Sequence, residues 1–220
     1  MKVLELFAES RSFSKVAEKH GFETYSTDRK LFYGINYVCD IFDFHVVEVP
    51  FIPDIIWASP PCTTFSVASI GKHWDGGHRA YIPKTKEAKI GKKIVQKTWE
   101  IIMHFKEKNP DLKYIIENPR GLLRKLDIIP HQPKTAWYCQ YGDKRAKPTD
   151  LWFNFNWTPK RCRNDRHPEF LYLFENFKCE HENAPRGSKT GTQGLKNDYE
   201  RSKVPELLCE EAISKIKDRK

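Results

Sequence analysis

The run Phe51-Ile52-Pro53-Asp54-Ile55-Ile56-Trp57-Ala58 is apolar and strand-like, and it stops abruptly at Pro60-Pro61. Proline has no N–H to give a sheet ladder, so an extended segment must end and turn there. The turn reads Ser59-Pro60-Pro61-Cys62-Thr63-Thr64-Phe65-Ser66. Open α/β sheets keep their reactive groups just beyond the carboxyl ends of their strands, where Cys62 falls. A cysteine is more often a small buried hydrophobe. The sharper expectation is a nucleophile.

The preceding residues read as strand, helix, strand. Residues 3–7 form the first strand and Ser12 to Lys19 a helix, with Ser12 as N-cap and His20-Gly21 as the stop. A second strand at 22–26 ends at Asp28, about twenty positions after the first turn. A carboxylate so placed can hydrogen-bond the ribose of an adenosine cofactor, or simply cap a turn. The glycine-rich turn of a dinucleotide fold is absent, and Glu9-Ser10-Arg11-Ser12 stands in its place.

A third strand is expected at 35–38 with Asp40-Ile41 at its end, then a loop over 67–90 and a helix over about 87–108. Between Gly71 and Asn109 there are ten Lys or Arg and four acids, which suits a solvated face or a loop closing on phosphates. The strand 113–116 runs into Glu117-Asn118-Pro119, so Glu117 repeats the placement of Cys62 at a strand end. Two strands, 135–141 and 150–155, bracket a hairpin at 142–149, and 204–216 is an amphipathic helix.

The chain of 220 residues is 39% apolar and 30% charged, with a formal charge of +9 that favours a polyanionic partner. No apolar run is long enough to span a bilayer, and the N-terminus reads as a strand rather than a secretory signal. Six scattered cysteines imply a reducing, cytoplasmic setting.

Together these residues carry a resemblance. Glu5-Leu6-Phe7-Ala8, Asp28, Asp40-Ile41, Pro60-Pro61-Cys62, Glu117-Asn118, Tyr141-Gly142 with Arg145 and Lys147, and Arg201-Ser202-Lys203-Val204-Pro205-Glu206-Leu207 resemble, in order, the motifs of the C5-cytosine DNA methyltransferases. The chain resembles the short, divergent phage-type members in particular. That resemblance implies a doubly wound, mainly parallel α/β sheet of the Rossmann-like kind. It implies a catalytic domain at 1–154, a small irregular basic insert at 155–200 that reads the target, and a C-terminal helix at 201–220 returning to the catalytic domain. In a phage-encoded member the setting would be the host cytoplasm.

It also implies S-adenosylmethionine as cofactor, bound by Phe7, Asp28, Asp40, Ile41, Pro61 and Ser202. Duplex DNA with a flipped cytosine is the implied partner. Cys62 would attack carbon 6, Glu117 would protonate N3, and Arg145, with Lys147, would hold the base carbonyl or a phosphate. Within the insert, Cys162, His167, Cys179 and His181 could supply four zinc ligands, although the Cys-x-His pair matches no standard finger spacing. Two alternatives stay open. One is a DNA-binding protein that keeps the scaffold without turnover; the other is a related pyrimidine C5-modifying enzyme acting on nucleotides or RNA.

Overall fold

The computed structural model describes residues 1–67, 69–76, 80–162 and 197–218. Its frame is one seven-stranded sheet in the order β3-β2-β1-β4-β7-β9-β8. The strands are β1 (Lys2–Leu6), β2 (Glu23–Asp28), β3 (Tyr37–Val38), β4 (Ile55–Ala58), β7 (Lys113–Pro119), β8 (Lys134–Trp137) and β9 (Pro148–Phe153). β5 (Trp74–Asp75) and β6 (Ile82–Pro83) form a separate hairpin. The five strands from β3 to β7 are parallel; β9 runs antiparallel to both β7 and β8. The chain winds outward from β1 in both directions, and the switch in direction opens a crevice between the carboxyl ends of β1 and β4.

Alternation along the strands sorts the core into two layers. Leu4, Leu6, Ile56, Ala58 and Ile116 face the layer of the long helix α3 (Lys86–Lys108), packing with Val95, Ile102 and Phe105. Val3, Ile55, Trp57 and Ile115 face α1 (Ser12–Lys19) and α5 (Glu206–Lys217), packing with Phe13, Val16, Leu208 and Ile213. Each fully buried Ile or Leu contributes about 1.5–3 kcal/mol. By the same alternation Glu5 and Glu117 fall in the α1/α5 layer, as buried carboxylates among hydrophobes.

Several expectations need correction. Ser12 does not cap α1: the N-cap is Arg11, which makes no side-chain cap bond. The cap comes from across the layer, where Glu5 Oε1 and Oε2 accept the Phe13 and Ser14 amides at 3.3 and 2.8 Å. Burial still pushes the Glu5 carboxyl pKa up against these bonds. The strand expected at 135–141 ends at Trp137, and Tyr138–Tyr141 is a 3-10 turn. The loop at 67–90 contains the short helix α2 (Ile70–His73) and the β5–β6 hairpin. A further short helix, α4 (Asp198–Ser202), precedes α5. The third strand shrinks to two residues and the fourth to Ile55–Ala58.

Two close contacts bind the turn after Cys62 into this frame. Gly91 of α3 lies so near it that a Cβ would come within 2.7 Å of Thr64 Oγ1. At Gly121 a Cβ would meet the Phe65 carbonyl oxygen at 2.3 Å, while the Leu122 amide donates to that same oxygen at 2.8 Å. Backbone cannot yield as a side-chain tip can. Gly121→Ala should therefore destabilise the protein by about 1–3 kcal/mol, lowering the melting temperature by several degrees in a thermal denaturation.

Candidate active site

Cys62 follows β4 at the carboxyl edge of the sheet, and Glu117 lies near the carboxyl end of the adjacent parallel strand β7. The next residue joins the two. Asn118, fully buried, donates from Nδ2 to the Pro60 carbonyl at 2.8 Å, so the Pro-Pro-Cys turn hangs from the Glu-Asn strand. Cys62 is partly buried. Burial first, then the charge of Glu117, push its thiol pKa up, while Lys147 and Arg201 pull it down. An ionised Glu117 thus opposes the thiolate, and a protonated one does not.

The cation beside these groups is Lys147. Its Nζ stands 3.9 Å from Glu117 Oε1 and 4.4 Å over the Tyr138 ring, and it donates to the Arg201 carbonyl at 3.3 Å. Burial lowers its pKa, and Glu117 acts in the opposite sense. Arg145 is buried too, but its guanidinium is held by Asp143: Nε donates to both carboxylate oxygens at 2.9 Å, and Nη2 pairs with the same group. Its remaining reach is a 3.4 Å bond from Nη1 to the Arg201 carbonyl. Of the two basic residues singled out in the sequence, Lys147 joins Cys62 and Glu117, and Arg145 braces the loop behind them.

Tyr138 escaped the sequence reading. Its hydroxyl donates to Glu117 Oε1 at 2.9 Å from a completely buried position. A tyrosine taken for one of several strand residues carries no local sign of such a role. Only the break of β8 into a 3-10 turn aims it at Glu117.

The turn after β1 keeps an unusual shape without glycine. Phe7, Glu9 and Arg11 have φ of 58°, 31° and 53°, in the left-handed region that glycine enters freely and other residues enter at a cost of about 1–2 kcal/mol each. Lys147, at 25°, is the other such residue at this edge. Left-handed backbone thus gathers at the carboxyl edge of the sheet.

The residues assigned to the cofactor line up along this edge. Asp28 Oδ2 accepts the Glu9 amide at 3.1 Å and Oδ1 the Lys30 amide at 3.0 Å, so Asp28 shapes the β1 turn directly. Asp40 Oδ1 accepts the Phe42 amide at 3.0 Å and caps the 3-10 turn that begins at the buried Ile41. Both carboxylates retain lone pairs for hydroxyl or amine donors. Phe7 is partly buried and Pro61 exposed at the same edge. Ser202 instead donates its hydroxyl to the Tyr199 carbonyl at 2.8 Å. The 201–207 segment reaches the β1 turn by another bond, from the Val204 amide to Ser12 Oγ at 3.1 Å.

An open cleft of about 660 Å³ lies between Tyr141–Arg145 and Glu200–Leu207, and a smaller one of about 390 Å³ between Ser10, Ser12, Lys15 and Lys203–Glu206. Neither is lined by Cys62 or Glu117. Chemistry, not volume, marks the site.

Of the zinc ligands expected from the sequence, Cys162 is buried, and His167, Cys179 and His181 lie outside the described residues. Among the described residues no three metal-ligating side chains gather. No described helix is long and apolar enough to cross a membrane.

The sheet order and the flanking helices define a doubly wound, Rossmann-like α/β fold. No family model matches the chain. The probable DNA (cytosine-5)-methyltransferase of Frog virus 3 (isolate Goorha) is 28% identical to it over 167 residues, covering 74% of this chain and 75% of the viral protein. Among solved structures, a mutant of DNMT2 from Spodoptera frugiperda aligns with a TM-score of 0.40 and 14% identity, over 73% of this chain. The chain spans about half of that protein, 53% of its length. The likeness to C5-cytosine DNA methyltransferases thus extends over most of the chain, beyond the separate motifs.

Proposed function

We propose that the chain methylates carbon 5 of cytosine in DNA, using S-adenosylmethionine. The observation that carries this reading is the meeting of Cys62, Glu117 and Lys147 at the carboxyl edge of adjacent parallel strands. The viral relative's description as a probable DNA (cytosine-5)-methyltransferase supports it. So does the charge of +9. Lys86, Lys89 and Lys93 are exposed on the helix that packs over the Cys62 turn, where a nearby strand of phosphates would meet them.

Carbon 5 of cytosine is too weak a nucleophile to accept a methyl group unaided. Cys62 loses its proton to water and its sulfur bonds to carbon 6; the C5=C6 pair becomes C4=C5, and the C4=N3 pair moves onto N3, which takes a proton from Glu117. Lys147 offsets negative charge on the base and on the thiolate in a site screened from water. S-adenosylmethionine, held by Asp28, Asp40, Ile41 and Phe7, would supply an electrophilic methyl group to the activated carbon. Water takes the carbon 5 proton, the C–H pair forms C5=C6, the C6–S pair leaves with Cys62 as thiolate, and N3 gives its proton back to Glu117. Because carbon 6 is inaccessible in a stacked duplex, the base must leave the stack first.

Incubation with unmodified duplex DNA and methyl-labelled S-adenosylmethionine, followed by digestion to nucleosides, tests the reading. The label should appear in 5-methyldeoxycytidine. Absence of label from DNA would overturn it, whether or not RNA or free nucleotides became labelled.

A further inference from the structure

We infer that Tyr138 is a positioning residue that decides which oxygen of Glu117 carries the proton, and so makes the site select cytosine over uracil. The inference rests on the pyrimidine chemistry proposed above and extends it to substrate choice.

Glu117 Oε1 accepts the Tyr138 hydroxyl at 2.9 Å and faces the Lys147 ammonium at 3.9 Å. Lys147 is itself held over the Tyr138 ring at 4.4 Å, with the Arg145 guanidinium 5.9 Å from the same ring. One hydrogen-bond donor and one nearby cation therefore converge on Oε1, and one of its lone pairs stays unused. Adding a proton to Oε1 would set it against the tyrosine O–H and the cation together. A proton taken up by Glu117 would therefore sit on Oε2.

Tyr138 cannot easily change its part. Its side chain is fully buried, its amide donates to the Lys147 carbonyl at 3.4 Å, and its carbonyl accepts the Asp143 amide at 3.2 Å. Burial and the Glu117 charge push the phenol pKa well above its ordinary value, so the hydroxyl keeps its proton through the working pH range. The donor to Oε1 is permanent.

The consequence follows from the edges of the two bases. Cytosine offers an acceptor at N3 and a donor at its exocyclic amine. A carboxyl protonated on Oε2 matches this pattern, donating to N3 and retaining a lone pair on Oε1 for the amine. Uracil reverses both positions, with N–H at N3 and a carbonyl at carbon 4. Reading uracil would need the proton on Oε1, the arrangement Tyr138 and Lys147 disfavour. A site whose buried polar groups are left unmatched rejects the wrong partner strongly.

The test uses C5-hydrogen exchange, which requires Cys62 addition but no cofactor. Duplexes carrying 5-tritiated deoxycytidine or 5-tritiated deoxyuridine at one position are compared for tritium release, with wild type and Tyr138→Phe. The phenylalanine keeps the ring for Lys147 and removes only the O–H. We expect slower release from deoxycytidine and a fall of at least about tenfold in the deoxycytidine-to-deoxyuridine ratio. Equal slowing of both substrates, with an unchanged ratio, would reduce Tyr138 to a packing residue and overturn the inference. A wild type that released no tritium from deoxycytidine would instead sink the pyrimidine chemistry itself.

Discussion

Cys62→Ala should abolish methyl transfer to cytosine, lowering kcat by at least about 10³-fold, while affinity for duplex DNA stays within about twofold to threefold. The two halves of this expectation have separate causes. Without sulfur there is no bond to carbon 6, and nothing else at the edge of β4 can replace it: Thr63 and Thr64 follow in the turn, but an unassisted hydroxyl is a far poorer nucleophile than a thiolate. On the proposed reading, affinity would depend instead on exposed lysines such as Lys86, Lys89 and Lys93, which the substitution does not touch. The turn itself should survive, because the Asn118 bond to the Pro60 carbonyl and the Leu122 bond to the Phe65 carbonyl use backbone atoms. Single-turnover kinetics alongside a binding titration on one duplex checks both halves. Loss of binding in parallel with activity would mean the variant had misfolded locally.

The second large effect concerns stability. Arg124→Ala should destabilise the fold by about 3–5 kcal/mol, a large fraction of the 5–15 kcal/mol typical of a domain. Asp150 is completely buried, and its charge is met by Arg124 Nε at 2.8 Å, Arg124 Nη2 at 2.6 Å and the Thr135 hydroxyl at 2.9 Å. Asp150 also stands opposite Asn118 in the β7–β9 ladder, so this ion pair braces the strand that carries Glu117. Removing the arginine leaves a buried anion with the Thr135 hydroxyl and the charge of Arg120.

The pH dependence has a definite sign. Burial already raises the Asp150 pKa in the folded protein, and losing Arg124 raises it further. The folded state then binds more protons than the unfolded state, so the variant's stability falls as pH rises and recovers on acidification. Denaturant melts at two pH values read this directly. The double variant Arg124→Met with Asp150→Leu should regain most of the loss, since an apolar pair of similar volume avoids both desolvation costs.

The parts of this site legible in the sequence are those set by local rules. A proline pair ends a strand wherever it occurs, and an acid after a short apolar run falls at a strand end, so Cys62 and Glu117 could be placed on one edge before any coordinates. What escaped the sequence depends on groups distant in the chain or on backbone angles. Lys147 rather than Arg145 faces Glu117 because Asp143 captures the arginine and because Lys147 adopts a φ of 25°. Glu5 caps α1 because strand alternation points it at the helix start, where sequence adjacency had favoured Ser12. The β1 turn retains its left-handed residues without glycine, which composition alone would have argued against.

The most direct test of the account is a covalent trap. Fluorine at carbon 5 cannot leave as the proton does, so the enzyme should stall after methyl transfer with its sulfur still bonded to carbon 6. A duplex carrying 5-fluorocytosine, incubated with the protein and S-adenosylmethionine, should yield a protein–DNA species that survives denaturation and maps by peptide mass to Cys62. A wild-type protein that methylates DNA yet forms no such species, or that places the methyl group on the exocyclic nitrogen, would contradict it.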